Sequence, residues 1–230
     1  MDIIKAKNLS DSKINELKAF YGNLPEFIIY EIKSLLDLDK IDNQELSNSI
    51  KEYFSQNIEK KENLNSLLEH ASGLCYEFNN KTYIFYNNSD ECLFHEMAHA
   101  IYSKKIKEIS KLKGINLSQN QFILLDEFVA EYFSTIATKS LNRIFSCFSL
   151  IRTIKNNNKH YLYQYHSNYC YYLGAYKALK DINELPDLFA KILPDDLDKN
   201  SSLIYSSLVF NNKNLSDIDF DKFLSIYNKQ

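Results

Sequence analysis

Residues that break helices are scarce in this chain, which has 4 glycines and 3 prolines among 230 residues. So few breakers exclude a turn-rich all-β architecture and point to long helices. Cysteine is sparse too. Cys75, Cys92, Cys147 and Cys170 are widely spaced and form no C-x-x-C pair. They read as reduced, mostly buried thiols of a cytosolic protein, a ligand role for Cys92 being the alternative. Charge of one sign is lacking as well: 27 basic against 30 acidic residues leave a formal net charge of -3. That balance makes no case for nucleic acid or an anionic membrane as partner, and Lys104-Lys105-Ile106-Lys107 reads as a solvated helix flank. The start, Met1-Asp2-Ile3-Ile4-Lys5, has no apolar stretch of signal-peptide type. No run reaches the length of a membrane span; the one from Phe145 to Ile154 is short and carries Arg152. A cytoplasmic location follows as the expectation. The hydrophobic fraction of 45% and charged fraction of 25% are ordinary for a globular chain. The length suits one domain, or one domain with a helical appendage.

Histidine is the next scarcity. The chain has 5, and two of them stand in His95-Glu96-Met97-Ala98-His99. With so few histidines the pattern H-E-x-x-H arises by accident in roughly one such chain in a hundred. On a helix, His95 and His99 project from one face a turn apart, where two neutral imidazoles can share a zinc ion. Glu96, on an adjoining face, can reach a water acidified by that ion and remove its proton. The surroundings predict the required helix. Ser89 or Asp90 can cap it, Asp90 and Glu91 suit its first turn, and Cys92 to Tyr102 contains no Gly or Pro. Phe94, Met97, Ala98 and Ile101 form an apolar back, leaving His95, His99 and Tyr102 or Ser103 on another side.

Ahead of this motif the pattern predicts helical scaffold. Asp11 to Tyr21 reads as a short helix stopped by Gly22. After Pro25, Phe27 to Leu38 reads as a strongly apolar helix. Asp42-Asn43-Gln44-Glu45 resembles a capping box opening a third helix with Leu46, Ile50, Tyr53 and Ile58 on one side. Its continuation over Leu64, Leu67, Leu68 and Ala71 is expected to end at Gly73, with His70 a surface or satisfied histidine. The one clear β signal is Leu74–Phe78 and Thr82–Tyr86 around Asn79-Asn80-Lys81, written as a hairpin.

Beyond Gly114, Ser118-Gln119-Asn120-Gln121 has capping-box form and opens a helix running to about Lys139. That helix is apolar over most of its circumference, yet Glu127 and Glu131 lie four apart on one face, bordered by Leu124, Ser134 and Thr135. Burying two carboxylates is costly without a cation or a basic partner. With the histidine pair upstream, metal ligation is the preferred reading and a structural salt bridge the alternative. Leu141 to Ile154 reads as another helix, Asn156 to Asn158 as a loop, and His160 to Leu179 as a tyrosine-rich helix in which Gly174 allows close packing. Most of those tyrosines must be packing residues. His166, and after it Tyr169, are the candidates to donate to a developing oxyanion. Leu185 to Tyr227 reads as three shorter helices. The fold expected is mainly α with a small β-hairpin.

His95-Glu96-x-x-His99 followed by Glu127-x-x-x-Glu131 resembles the gluzincin pattern of thermolysin-type zinc metallopeptidases, and among these the short cytosolic ImmA/IrrE-type peptidases. The His-His-Glu ligand set of thermolysin is itself a standard worked case of catalytic zinc. The resemblance spans Ser89 to about Lys139. Phe128 stands where the ImmA/IrrE-type chains have Ala, and Glu131 where the thermolysin pattern has Asp. The resemblance implies a zincin-like helix pair; with the patterns on either side of it, the expected organisation is a helical scaffold over residues 1–73, a metallopeptidase core over 74–140, and a C-terminal helical region over 141–230 completing the same domain. It implies Zn2+ held by His95, His99 and Glu127, with Glu131 supporting a histidine ligand, and Glu96 activating water. A peptide or protein substrate is expected along the Thr82 to Tyr86 strand. A metzincin is excluded, since Tyr102 and Lys105 stand where that motif needs Gly and His. Two other classes stay open: a catalytically silent metal-binding regulatory protein, and a helical interaction protein in which H-E-x-x-H is coincidence.

Overall fold

The computed structural model describes residues 3–57, 68–69, 71–140, 174–175, 177–179 and 181–182. Among them the chain is mainly helical with one small three-stranded sheet. It divides into two compact units, Met1–Ile101 and Tyr102–Gln230, and the boundary falls inside one continuous helix.

The first unit begins with α1, Asp11–Tyr21. Ser10 caps it, its side chain accepting from the Lys13 amide, and Gly22 ends it at φ 80°, a conformation that costs a residue with a Cβ. The segment after Pro25 departs from expectation. Phe27–Glu31 is not helix but strand β1, followed by a 3-10 helix over Leu35–Lys40. The run Phe-Ile-Ile-Tyr is β-branched and aromatic, and it finds a strand to pair with; that long-range partner outweighs the helix-compatible apolar run. Helix α2, Gln44–Asn57, is capped by Asn43, whose carboxamide oxygen accepts from the Leu46 amide. Asp42 serves a different purpose, accepting from the Tyr30 hydroxyl at 2.7 Å.

Strands β2 (Gly73–Phe78) and β3 (Lys81–Tyr86) form the anticipated hairpin. Asn79 and Asn80 both have positive φ, 49° and 60°, as a two-residue turn between twisted strands requires. Gly73 therefore starts a strand and does not stop a helix. The sheet order is β1-β3-β2, with β1 parallel and β2 antiparallel to β3. Strand alternation divides its side chains. One face carries Tyr30, Tyr83 and Phe85 into a core with Ile32, Leu35, Leu38, Ile41, Leu46 and Ile50. There the rings of Tyr30 and Phe85 stack at 5.3 Å. The opposite face carries Gly73, Cys75, Ile29 and Ile84 by register, and it is covered in part by the helix described next.

That helix, α3, is Asp90–Leu112. Ser89 caps it, its hydroxyl accepting from the Cys92 amide at 3.2 Å while itself donating to Asn87. Helix α1 braces its start: Tyr21 donates to the Phe94 carbonyl at 2.7 Å, Phe20 and Tyr21 pack on the Phe94 ring, and Lys13 pairs with Asp90 at 2.8 Å. The apolar back expected of this helix is buried, but so are His95 and Glu96. Around the motif the helix is enclosed on more sides than amphipathic spacing suggests.

In the second unit α3 ends at a turn in which Gly114 has φ 71°. Helix α4, Gln119–Thr138, opens with a complete capping box: the Ser118 side chain accepts from Gln121, whose side chain accepts from the Ser118 amide. The later turns of α3 lie against α4 through Tyr102 stacked on Phe133 at 4.3 Å, and through Lys107 over the Phe122 ring at 4.6 Å. Gly174 lies against α4 so closely that a Cβ there would meet the Phe128 carbonyl oxygen at 2.6 Å, so glycine is required by packing at this point. Beyond it, Asp181 accepts from Tyr132 at 2.8 Å and from Lys177 at 2.7 Å. No described helix is long and apolar enough to cross a membrane. Leu64, Leu67, His70, Cys147, Cys170 and the helices expected over 141–154 and 185–227 lie outside the described residues, as does most of 160–179.

Candidate metal centre

Two helices supply the site. On α3, the four-residue spacing brings the His95 and His99 rings edge to face, centroids 4.8 Å apart, with their Nε2 atoms 3.1 Å from each other. Two ring nitrogens at that distance share one proton or converge on a cation, because paired N–H groups or paired lone pairs repel. Two nitrogens each about 2.0–2.1 Å from one tetrahedral ion stand roughly 3.3 Å apart, close to what is seen. On α4, Glu127 joins them: ligand atoms of His95, His99 and Glu127 all lie within 4.8 Å of one another, and the three could hold a metal ion. Among the described residues this is the one group of histidine, cysteine or acidic side chains so arranged. Its chemistry, two borderline nitrogens and one hard oxygen, suits zinc and other late first-row divalent ions.

Burial grades the cluster. His95 is 2% exposed, whereas His99 and Glu127 are half-buried. One imidazole is thus fixed within the protein and the rest of the group is reachable by solvent. Glu131, one turn beyond Glu127, is 2% exposed, and Thr135 donates to its Oε1 at 3.4 Å. Glu131 is not among the three grouped ligands.

Glu96 is buried as well, and what it faces is informative. A Cβ built on Gly73 would lie 2.5 Å from Glu96 Oε1, 2.9 Å from its Cγ and 2.5 Å from Cys92 Sγ. The first residue of β2 therefore seats the Glu96 side chain by having none of its own. Cys92 is occupied structurally, its thiol donating to the Ser72 carbonyl at 3.1 Å. Both neighbours are buried, and an added Cβ would displace at least one of them. Gly73→Ala is expected to lower stability by about 1–3 kcal/mol through overpacking, measured by chemical denaturation; an unchanged midpoint would show that Glu96 moves freely.

Tyr102 follows on α3. Burial pushes its hydroxyl up to about 12, so it stays neutral and stacks on Phe133. The two oxyanion candidates, His166 and Tyr169, lie outside the described residues. The Thr82 to Tyr86 segment cannot receive an extended substrate. It is the central strand, hydrogen-bonded to β1 on one side and β2 on the other. The hairpin signal encodes only β2 as its neighbour; the other, β1, comes from the apolar run after Pro25.

One pair near the site carries no sequence signal of its own. Ser103, one turn after His99, donates to Asp126 Oδ1 at 2.7 Å, and Asp126 immediately precedes Glu127. Ser103 shares the histidine stripe by spacing, but its partner could be found only once the helices were side by side. No protein-family model matches the chain, and neither any curated protein nor any solved structure does.

Proposed function

We propose that this chain is a zinc-dependent metallopeptidase, hydrolysing a peptide bond in a peptide or protein substrate in the cytoplasm. The observation that carries the reading is the convergence of His95, His99 and Glu127 from two helices, with Glu96 next in sequence to the first ligand. In this role His95, His99 and Glu127 hold the ion, and Glu131 supports a histidine ligand. Zinc, when bound, supplies a Lewis acid and an acidified water. Glu96 would serve as the general base toward the attacking water and then as the acid that protonates the leaving amine. Its burial and its seat on Gly73 keep the carboxylate from wandering between those two transfers. With β3 internal, β2 is, among the described residues, the outer strand that begins beside Glu96. An extended substrate adding to that side of the sheet would carry its main chain toward the carboxylate.

The test has two arms. Purified protein should contain stoichiometric zinc by elemental analysis, and a mixed peptide substrate should be cut by it. A chelator should stop the cutting and added zinc should restore it. Stoichiometric metal without cutting would favour a silent metal-binding regulator; no bound metal would leave the histidine pair as coincidence.

A further inference from the structure

We infer that the Ser103–Asp126 hydrogen bond is a strap that sets the spacing of the metal-bearing helices, which makes these two residues positioning residues for the centre. The inference rests on the reading of His95, His99 and Glu127 as metal ligands. Its ground is where the two residues stand. His95, His99 and Ser103 follow one another at four-residue intervals along α3, so Ser103 lies about 6 Å along the axis from His99 on the same stripe. Asp126 is joined by one peptide bond to Glu127. Any sliding of α4 along α3 that displaces Glu127 from the histidines must also displace Asp126 from Ser103.

Two neighbouring contacts between α3 and α4 are looser. Tyr102 on Phe133 is a stacked pair of rings, and Lys107 over Phe122 is a cation above a ring face; both tolerate lateral shifts of an ångström or more. A hydroxyl donating to a carboxylate at 2.7 Å is short, charge-assisted and directional. Both partners are half-buried, which limits competition from water. Metal ligands need to be held within about 0.5 Å of their working positions. Among these three contacts between α3 and α4, the strap alone is this strict and this close to Glu127.

The test compares wild type with Ser103→Ala, Ser103→Thr and Asp126→Asn. Zinc affinity is read by competition with a chromogenic chelator, and geometry by the visible absorption of the cobalt-substituted protein. Denaturation of the metal-free proteins reports folding separately. Loss of a supporting hydrogen bond around a metal site weakens metal binding about 10–100-fold. Ser103→Ala is expected near the lower end of that range, with an altered cobalt spectrum. Ser103→Thr, which keeps the hydroxyl, should restore both. Asp126→Asn, which keeps the shape and loses the charge, should fall between them. If Ser103→Ala does not fold, Ser103→Thr with wild-type properties beside a weakened Asp126→Asn supports the strap. Wild-type affinity and spectrum in Asp126→Asn and in any folded Ser103→Ala overturn the strap while leaving the metal centre standing. A wild type that binds neither zinc nor cobalt overturns the metal centre itself, and the strap with it.

Discussion

Glu127→Ala should purify without zinc, while Glu131→Ala keeps it. The two carboxylates are a turn apart on α4, and sequence spacing alone treats them as near equals. Glu127 is the one whose oxygen groups with both imidazoles; Glu131 is enclosed and bonded to Thr135. Structural zinc in small sites is bound with about 10–16 kcal/mol spread over four ligands, so removing one of three protein ligands weakens binding on the order of a hundredfold or more. Removing a supporting group costs only about 10–100-fold. Metal content after dialysis against a weak chelator separates the two. Glu131→Ala is expected to show its loss mainly in the stability of the metal-free protein, because a buried carboxylate and the acceptor for Thr135 disappear together. Zinc lost only from Glu131→Ala would exchange the two roles.

The second large effect is on turnover. Glu96→Gln preserves the volume and hydrogen-bonding reach of the side chain and removes its basicity. If Glu96 is the general base, peptide hydrolysis drops by about 10²–10⁴-fold, the usual contribution of positioned proton transfer. Zinc content should stay at the wild-type level, since Glu96 is not one of the grouped ligands. Because Glu96 is packed against Gly73 and Cys92, the isosteric change should also leave the unfolding midpoint nearly unmoved. That control separates lost chemistry from lost structure. Undiminished hydrolysis with full zinc would remove Glu96 from the mechanism; lost hydrolysis with lost zinc would mean that it supports the centre instead.

Local signals and the structure agree where short-range chemistry decides the outcome. Ser89 ahead of α3, Ser118 with Gln121 ahead of α4, Gly22 at the end of α1, and the Asn79-Asn80 turn each act within a few residues. The run from Phe27 is different. An apolar stretch after a proline suits a helix or a buried strand equally. Its state is decided by β3, whose residues pair with it from far along the chain, Phe27 with Thr82 through Glu31 with Tyr86. With β1 paired along its other side, β3 is internal and leaves no free edge for a substrate.

What the sequence determined by itself was the chemical content of the centre: two imidazoles at helical spacing, a carboxylate next to the first, and two more on a second capped helix. Periodicity dictates those relationships because a helix repeats every 3.6 residues wherever it sits. The tertiary structure decided which carboxylate meets the imidazoles, which strand lies beside Glu96, and that Ser103 reaches Asp126. These depend on how separate elements pack against one another, and no local periodicity encodes the distance between two helices.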